Sequence, residues 1–302
     1  MSRPASQALT AEFPTPPVVL ELLKPITWFP PMWAFGCGVV SSGISTHGRW
    51  PAIVTGVVLC GPLLCATSQA VNDWFDRHVD AINEPTRPIP SGRMPGRWGL
   101  YVAIFWTVLS LLCAAALGTW VLGAATLGLL LAWAYSAPPI RLKQNGWWGN
   151  LACAICYEGF AWVTGAAVMA GGTTPPTQTL IIATLYSLGA HGIMTLNDFK
   201  SIEGDRRLGV GSLPARLGPD LAGEVACVAM ALSQFIVVAL LLAWGQKFHA
   251  LAVALSLAAQ LLLMRRLLTK PRELAPWYNG TGVSLYVLGM LVSAFALRAI
   301  LK

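Results

Sequence analysis

Nine apolar runs of membrane-spanning length follow one another along this chain, at about 25–44, 51–71, 98–117, 119–135, 149–171, 178–196, 221–243, 248–267 and 277–299. A helix of about 20 apolar residues matches the hydrocarbon thickness of a bilayer, and lipid forces every backbone polar group to pair within its own segment. The chain is therefore expected to be all-α: a polytopic membrane protein of about nine transmembrane helices, forming a single domain over 1–302. Composition agrees, with 55% hydrophobic and 11% charged residues against roughly 25% charged in soluble domains. Gly118 marks a tight turn between the third and fourth runs.

The cationic residues orient these spans. Of the 20 Lys and Arg, only Arg49, Lys247, Arg298 and Lys302 fall on one side of a nine-span arrangement. The other sixteen share the side of the N-terminus and the even-numbered loops, which the positive-inside rule assigns to the cytoplasm. The net charge of +7 is thus a property of one face. With no soluble basic module present, nucleic acid is not an expected partner; the lipid bilayer is. The first twenty residues hold neither an apolar signal core nor an Arg/Ser-rich transit pattern, so insertion is expected to rely on the first run, in a bacterial inner membrane. All seven cysteines lie inside apolar runs, and the Cys153/Cys156 pair reads as small packing residues.

Two short polar segments stand out against this background. NDWFDRHVD carries Asp73, Asp76 and Asp80 after Asn72, and NDFKSIEGD repeats the pattern with Asn197, Asp198 and Asp205, Ser201 taking the middle place. At 100° per residue, offsets of 0, +3 and +7 fall within about 60° of arc, so a helix would point each set one way. Each follows an apolar run and precedes a basic loop containing Gly and Pro, which makes the two halves a diverged internal repeat, and four intervening spans put both motifs on one membrane face. A third loop, YSAPPIRLKQNGWWGN, adds Arg141 and Lys143 to that face.

Carboxylates crowded on one helix face repel unless a cation joins them, and hard oxygen ligands suit Mg2+. Asp73 and Asp80 are about 10 Å apart along a helix axis, whereas two ligands of one ion lie about 4 Å apart, so the site is sized for several ions or for ions with a diphosphate. Metals and cationic side chains around a diphosphate stabilise its departure. If it leaves an allylic isoprenoid, the carbocation needs a dry apolar and aromatic pocket, which a membrane cavity supplies. Trp28, Phe29, Trp33, Trp74, Phe75, Tyr135, Trp147 and Tyr157 lie near the relevant ends of the runs, where aromatic residues also form interfacial belts.

With LLKPITWFPPMWAFGCGVVSSG, NDWFDRHVDAINEPTRPIPSGR, YSAPPIRLKQNGWWGN and NDFKSIEGDRRLGVGSLPARLG in hand, the chain resembles the UbiA superfamily of intramembrane prenyltransferases. Within it these blocks are similar to the branch acting on chlorophyllides, and the short N-terminus to its bacterial members. The resemblance implies helices packed around a lateral cavity and a Mg2+-dependent enzyme. It implies that the propionate of a chlorophyllide or bacteriochlorophyllide is esterified by geranylgeranyl or phytyl diphosphate, releasing pyrophosphate. It carries metal binding onto Asp73, Asp76, Asp80, Asp198 and Asp205, with Asp73, Asp76, Asp198 and Asp205 essential to catalysis. Asn72, Asn197, Lys24, Arg87, Arg141 and Lys143 become diphosphate contacts. Ser201 departs from the superfamily's three-Asp pattern.

Two polar residues lie inside spans, where polarity is costly: Glu158 midway along its run and His191 about two turns before Asp198. Both are candidate acceptor contacts: His191 can ligate or hydrogen-bond the acceptor or be satisfied by a neighbouring helix, and Glu158 can line the acceptor cavity or pair with a buried base. Two other functions remain open at this point. One is a UbiA-type enzyme prenylating a quinone precursor or haem; the other is a transporter or Mg2+ channel, for which internal repeats and intramembrane carboxylates are also expected.

Overall fold

The computed structural model describes residues 13–301, and Arg3 and Lys302 of the charge distribution lie outside them. Helix α1 (Pro16–Leu23) is followed by a single 3-10 turn, Pro25–Thr27, and by α2 (Phe29–Ser41). The long helices that follow are α3 (Trp50–Asn83), α4 (Trp98–Leu117), α5 (Thr119–Ser136), α6 (Gly146–Met169), α7 (Thr177–Leu208), α8 (Pro219–Ala243), α9 (Lys247–Leu267) and α10 (Pro271–Leu301), with a 3-10 turn at Leu142–Gln144 and a short helix at Leu213–Leu217 in the loops between them. No strand occurs among the described residues.

Eight helices, α3 to α10, are long and apolar enough to cross a membrane, so the expected count of nine is not reproduced. The run at 25–44 is where the two differ. Lys24 adopts a left-handed conformation (φ 47°), and the prolines at 25, 30 and 31 lack the N–H that a continuous helix would use. The run is thereby divided between a 3-10 turn and the 13 residues of α2. Large apolar side chains such as Leu112, Leu130, Phe235 and Leu255 are exposed on the long helices. That distribution suits lipid as solvent and defines a multi-pass membrane protein.

Small residues set the packing. A Cβ on Gly38 would lie 2.0 Å from the Trp162 carbonyl oxygen, and one on Gly165 would lie 2.1 Å from that of Phe35. Helices α2 and α6 therefore approach to backbone contact, the usual mode of association where lipid removes the hydrophobic drive between helices. The main core runs through α2, α3, α6, α7, α8 and α10 around Trp162, Tyr186, Met230 and Tyr286. A second cluster wedges Leu22 and Leu23 of α1 against Ala66, Ala70 and Val71 of α3 and Val102 and Ala103 of α4.

The motif helices α3 and α7 are the two longest, at 34 and 32 residues, because each continues past its apolar run into the polar motif. α3 contains a π-helical stretch, Leu59–Cys65, with Pro62 inside it. The missing proline N–H and the bulk of its ring account for that widened turn. A second π-helical stretch, Ile155–Phe160, interrupts α6.

Candidate active site

The first motif occupies the end of α3, and its three carboxylates meet different partners. Lys24 Nζ lies 2.6 Å from Asp73 Oδ1. Arg87 Nη1 donates to Asp80 Oδ2 at 2.8 Å and to Asp73 Oδ1 at 3.4 Å. Asp76 is paired instead with Lys143 Nζ and, at 3.4 Å, with Arg141 Nη2. Asn72 Nδ2 donates to Asp76 Oδ2 at 3.0 Å and to Ser136 Oγ at 3.2 Å. Asp73 is only 1% exposed, and its Oδ2 is buried with no hydrogen-bond partner.

Backbone strain accompanies two of these cations. Lys24 (φ 47°) and Arg141 (φ 39°) are the positive-φ non-glycine residues among those described, and both reach the first motif. Such conformations cost of order 1 kcal/mol or more and persist where the surroundings over-determine them. Burial pushes the Lys143 ammonium below the ordinary lysine range, with Asp76 opposing. For Arg87, burial also acts against the charge, but Asp73 and Asp80 outweigh it and hold its pKa above the usual arginine value.

The second motif is built differently. At Asp198–Ser201 the α7 helix tightens into a 3-10 turn, so Asp198 and Asp205 do not lie on one regular helical face as the spacing predicts. Asp198 Oδ2 accepts from Asn150 Nδ2 at 3.1 Å. Asp205 Oδ2 accepts from Ser201 Oγ at 2.9 Å and from Ser212 Oγ at 2.5 Å. Ser201 thus serves as a hydrogen-bond donor to a motif carboxylate. Asn197 Oδ1 accepts from Asn279 Nδ2 of α10 at 2.9 Å. Asp198 and Asp205 make no ion pair among the described residues, in contrast to the first motif.

The loop between α5 and α6 joins the two halves. Gly146 N donates to Gly211 O at 2.8 Å and Gly211 N to Gln144 O at 3.0 Å, tying it to the loop after the second motif while Arg141 and Lys143 reach Asp76 of the first. Asn145 then caps α6, its Oδ1 accepting from Trp147 N at 3.0 Å and Trp148 N at 3.4 Å.

Between the motif helices lies a cavity of about 370 Å³, bounded at its polar end by Asn72, Asn150, Asn197, Asp198, Lys200 and Ser201. Its walls carry Leu64, Leu129, Leu131, Ala132, Tyr135, Tyr157 and Phe160. The Tyr157 hydroxyl accepts from Gln69 Nε2 at 3.1 Å and from Cys65 Sγ at 3.4 Å. Cys153 and Cys156 are free thiols and also line the space.

The sequence-based site is thus brought together in part. Asn72, Asn197 and Asp198 line the cavity itself, whereas Asp73, Asp76, Asp80 and Asp205 are not among its lining residues. Among the described residues no three His, Cys, Asp or Glu side chains converge on one ion position. Of the aromatic residues, Tyr135 and Tyr157 face the cavity, while Trp74 stacks under Arg77 at 4.3 Å and Phe75 packs edge-on to Trp133. His191 bonds to the Trp147 carbonyl at 3.2 Å and stacks on its ring. Glu158 is 5% exposed, with Oε2 unpartnered. Neither His191 nor Glu158 is a lining residue.

Sequence reasoning missed Asn150, Ser136, Ser212 and Asn279. Asn150 alone carried a signal, as an amide at the start of an apolar run. The reach of α10 was unforeseen: Arg272 Nη2 grips both carboxylate oxygens of Glu203, inside the second motif, at 2.7 Å.

The model of the UbiA prenyltransferase family matches residues 27–297. The chain is 58% identical over 287 residues to the bacteriochlorophyll synthase 33 kDa chain of Cereibacter sphaeroides, covering 95% of each. It is 38% identical over 292 residues to the chloroplastic chlorophyll synthase of Arabidopsis thaliana, covering 92% of this chain and 73% of that one. A UbiA homologue from Archaeoglobus fulgidus, solved bound to DMAPP and Mg2+, matches with a TM-score of 0.71 at 20% identity, covering 93% of this chain and 99% of that one. With the fold and nearly the whole length of the sequence in accord, the chain belongs to the UbiA prenyltransferase family.

Proposed function

We propose that this protein esterifies the propionate of a chlorophyllide or bacteriochlorophyllide with geranylgeranyl or phytyl diphosphate and releases pyrophosphate. The observation that carries the reading is the cavity: both motifs border its polar end, and its walls are apolar and aromatic. Near full-length identity to a bacteriochlorophyll synthase supports the choice of acceptor. A quinone-precursor or haem prenyltransferase, and a transporter or Mg2+ channel, are not favoured by that likeness. The single transmembrane domain lies in a bacterial cytoplasmic or intracytoplasmic membrane, with its motif loops cytoplasmic.

The donor set fits Mg2+. Every motif ligand is oxygen, Asp73 Oδ2 is buried without a partner, and Mg2+ is ordinarily held by one or two carboxylates together with substrate phosphates. That habit accounts for the lack of a three-carboxylate cluster among the described residues. Asp73, Asp76, Asp80, Asp198 and Asp205 would between them hold more than one such ion. When bound, Mg2+ neutralises phosphate oxygens and stabilises the charge on the departing pyrophosphate.

The chain's own residues supply the rest. Lys24, Arg87, Arg141 and Lys143 offer cationic donors to the diphosphate, and Asn72 and Asn197 orient it at the cavity's end. The apolar walls exclude water, and the Tyr135 and Tyr157 rings shield positive charge developing on the allylic carbon. A propionate oxygen forms the new bond to that carbon as the carbon–oxygen bond to the diphosphate breaks, its electron pair leaving with pyrophosphate. A propionate with a pKa of about 4.3 is ionised at neutral pH, so no residue need accept a proton.

Purified protein incubated with Mg2+, geranylgeranyl diphosphate and chlorophyllide or bacteriochlorophyllide is expected to yield the esterified pigment and pyrophosphate, and to leave the propionate methyl ester unchanged. Prenylation of the methyl ester, or no product from either free acid, overturns the reading.

A further inference from the structure

Resting on that reading, the structure raises the question of how an anionic acceptor reaches an anionic leaving group. The cavity's polar end already holds Asp198, and it would also hold a diphosphate. Mg2+ would be engaged by Asp198 and the diphosphate, so a carboxylate entering there needs a cation of its own, since juxtaposed like charges strongly disfavour binding. Lys24, Arg87, Arg141 and Lys143 are all paired with carboxylates of the first motif. None of the four lines the cavity.

Lys200 is different on both counts. It is the one Lys or Arg lining the cavity among the described residues, and it takes part in none of their direct ion pairs, although its charge reaches Asp198 two residues away. Its backbone is fixed: Phe199 is buried at 4% on the core side, and Ser201 Oγ bonds back to the Asp198 carbonyl at 3.0 Å. The 3-10 turn thus presents Asn197, Asp198, Lys200 and Ser201 to the cavity while Phe199 anchors the segment. Lys200 stands on the second motif, whereas the four paired cations serve carboxylates of the first.

We propose that Lys200 binds the carboxylate of the acceptor and positions its oxygen for attack on the allylic carbon, making this residue the determinant of preference for an ionised carboxylate over its ester. A lysine suits the task because its ammonium acts as a point charge on a flexible stem. It holds one carboxylate oxygen and leaves the other to react.

The test uses the intrinsic fluorescence of chlorophyllide to measure binding to the full chain in detergent, without prenyl diphosphate or Mg2+, for the free acid and its propionate methyl ester. Wild type is expected to bind the acid about tenfold more tightly than the ester, the scale of one charged hydrogen bond. Lys200→Gln should bind the two equally, and Lys200→Arg should retain most of the discrimination. In turnover, Lys200→Gln should raise the acceptor KM about tenfold and leave the prenyl-diphosphate KM within about twofold. An unchanged acid-to-ester ratio in Lys200→Gln, or a rise confined to the prenyl-diphosphate KM, overturns the assignment. If Lys200→Gln does not give a monodisperse protein, Lys200→Met is subjected to the same comparison. Failure of the proposed function looks different from failure of the Lys200 assignment. Wild type that esterifies chlorophyllide while Lys200→Gln keeps the acid preference, or while wild type itself binds acid and ester alike, refutes Lys200 alone, whereas wild type that forms no ester from either free acid refutes the function.

Discussion

Lys24 Nζ sits 2.6 Å from Asp73 Oδ1, and the strained left-handed turn at Lys24 that makes this contact is the same feature that separates α1 from α2. One residue therefore ends a helix, shortens the next and delivers a charge to the first motif. Asp73 keeps its second oxygen unpartnered, which leaves that carboxylate able to serve both the lysine and a metal.

Lys24→Gln is predicted to raise the KM for prenyl diphosphate about tenfold with kcat within about threefold, because it removes one charged donor from substrate binding. Steady-state kinetics with the acceptor saturating measure this. A fall in kcat with KM unchanged would show that Lys24 acts in the chemical step.

Asp73→Asn, Asp76→Asn, Asp198→Asn and Asp205→Asn should each lower turnover by about 100-fold or more, the scale set by removing one preorganised electrostatic contact. Membrane insertion should be retained. Excess EDTA should abolish turnover of wild type and added Mg2+ restore it. Near-normal turnover in two of these variants, or in EDTA, would remove the metal site from the mechanism.

Ser91 and Arg207 lie exposed in or beside the two motif loops, and Thr174 is exposed between α6 and α7. In a cysteine-free background, single cysteines at 91 and 207 should react with an impermeant maleimide only from the cytoplasmic side, and one at 174 only from the other. Opposite labelling of 91 and 207 would mean that the motifs cannot share one ligand.

Gly165→Ala places a Cβ 2.1 Å from the Phe35 carbonyl oxygen, so α2 and α6 must separate. Overpacking of this kind costs about 1–3 kcal/mol. Thermal unfolding in detergent should show a lower midpoint, and Gly36→Ala on α2, where a Cβ meets nothing within 4 Å, serves as the neutral control.

Local properties of the sequence were sufficient for the membrane class, the helical fold and both aspartate motifs. Hydropathy is a sum over neighbouring residues, and the pattern of Asn72, Asp73 and Asp80 recurs at Asn197, Asp198 and Asp205 without reference to the rest of the chain. Tertiary structure alone decided which cation each carboxylate of the first motif meets. Nothing near Asp76 in sequence announces Lys143, and the pairing depends on the loop after α5 being fastened to Gly211. It also decided that Asn150, Asn279 and Lys200 belong to the site while His191 and Glu158 stay off the cavity lining. These outcomes depend on how helices distant in sequence pack and on the strained or tightened turns at Lys24 and Asp198, and three-dimensional packing sets both where a residue's own periodicity does not.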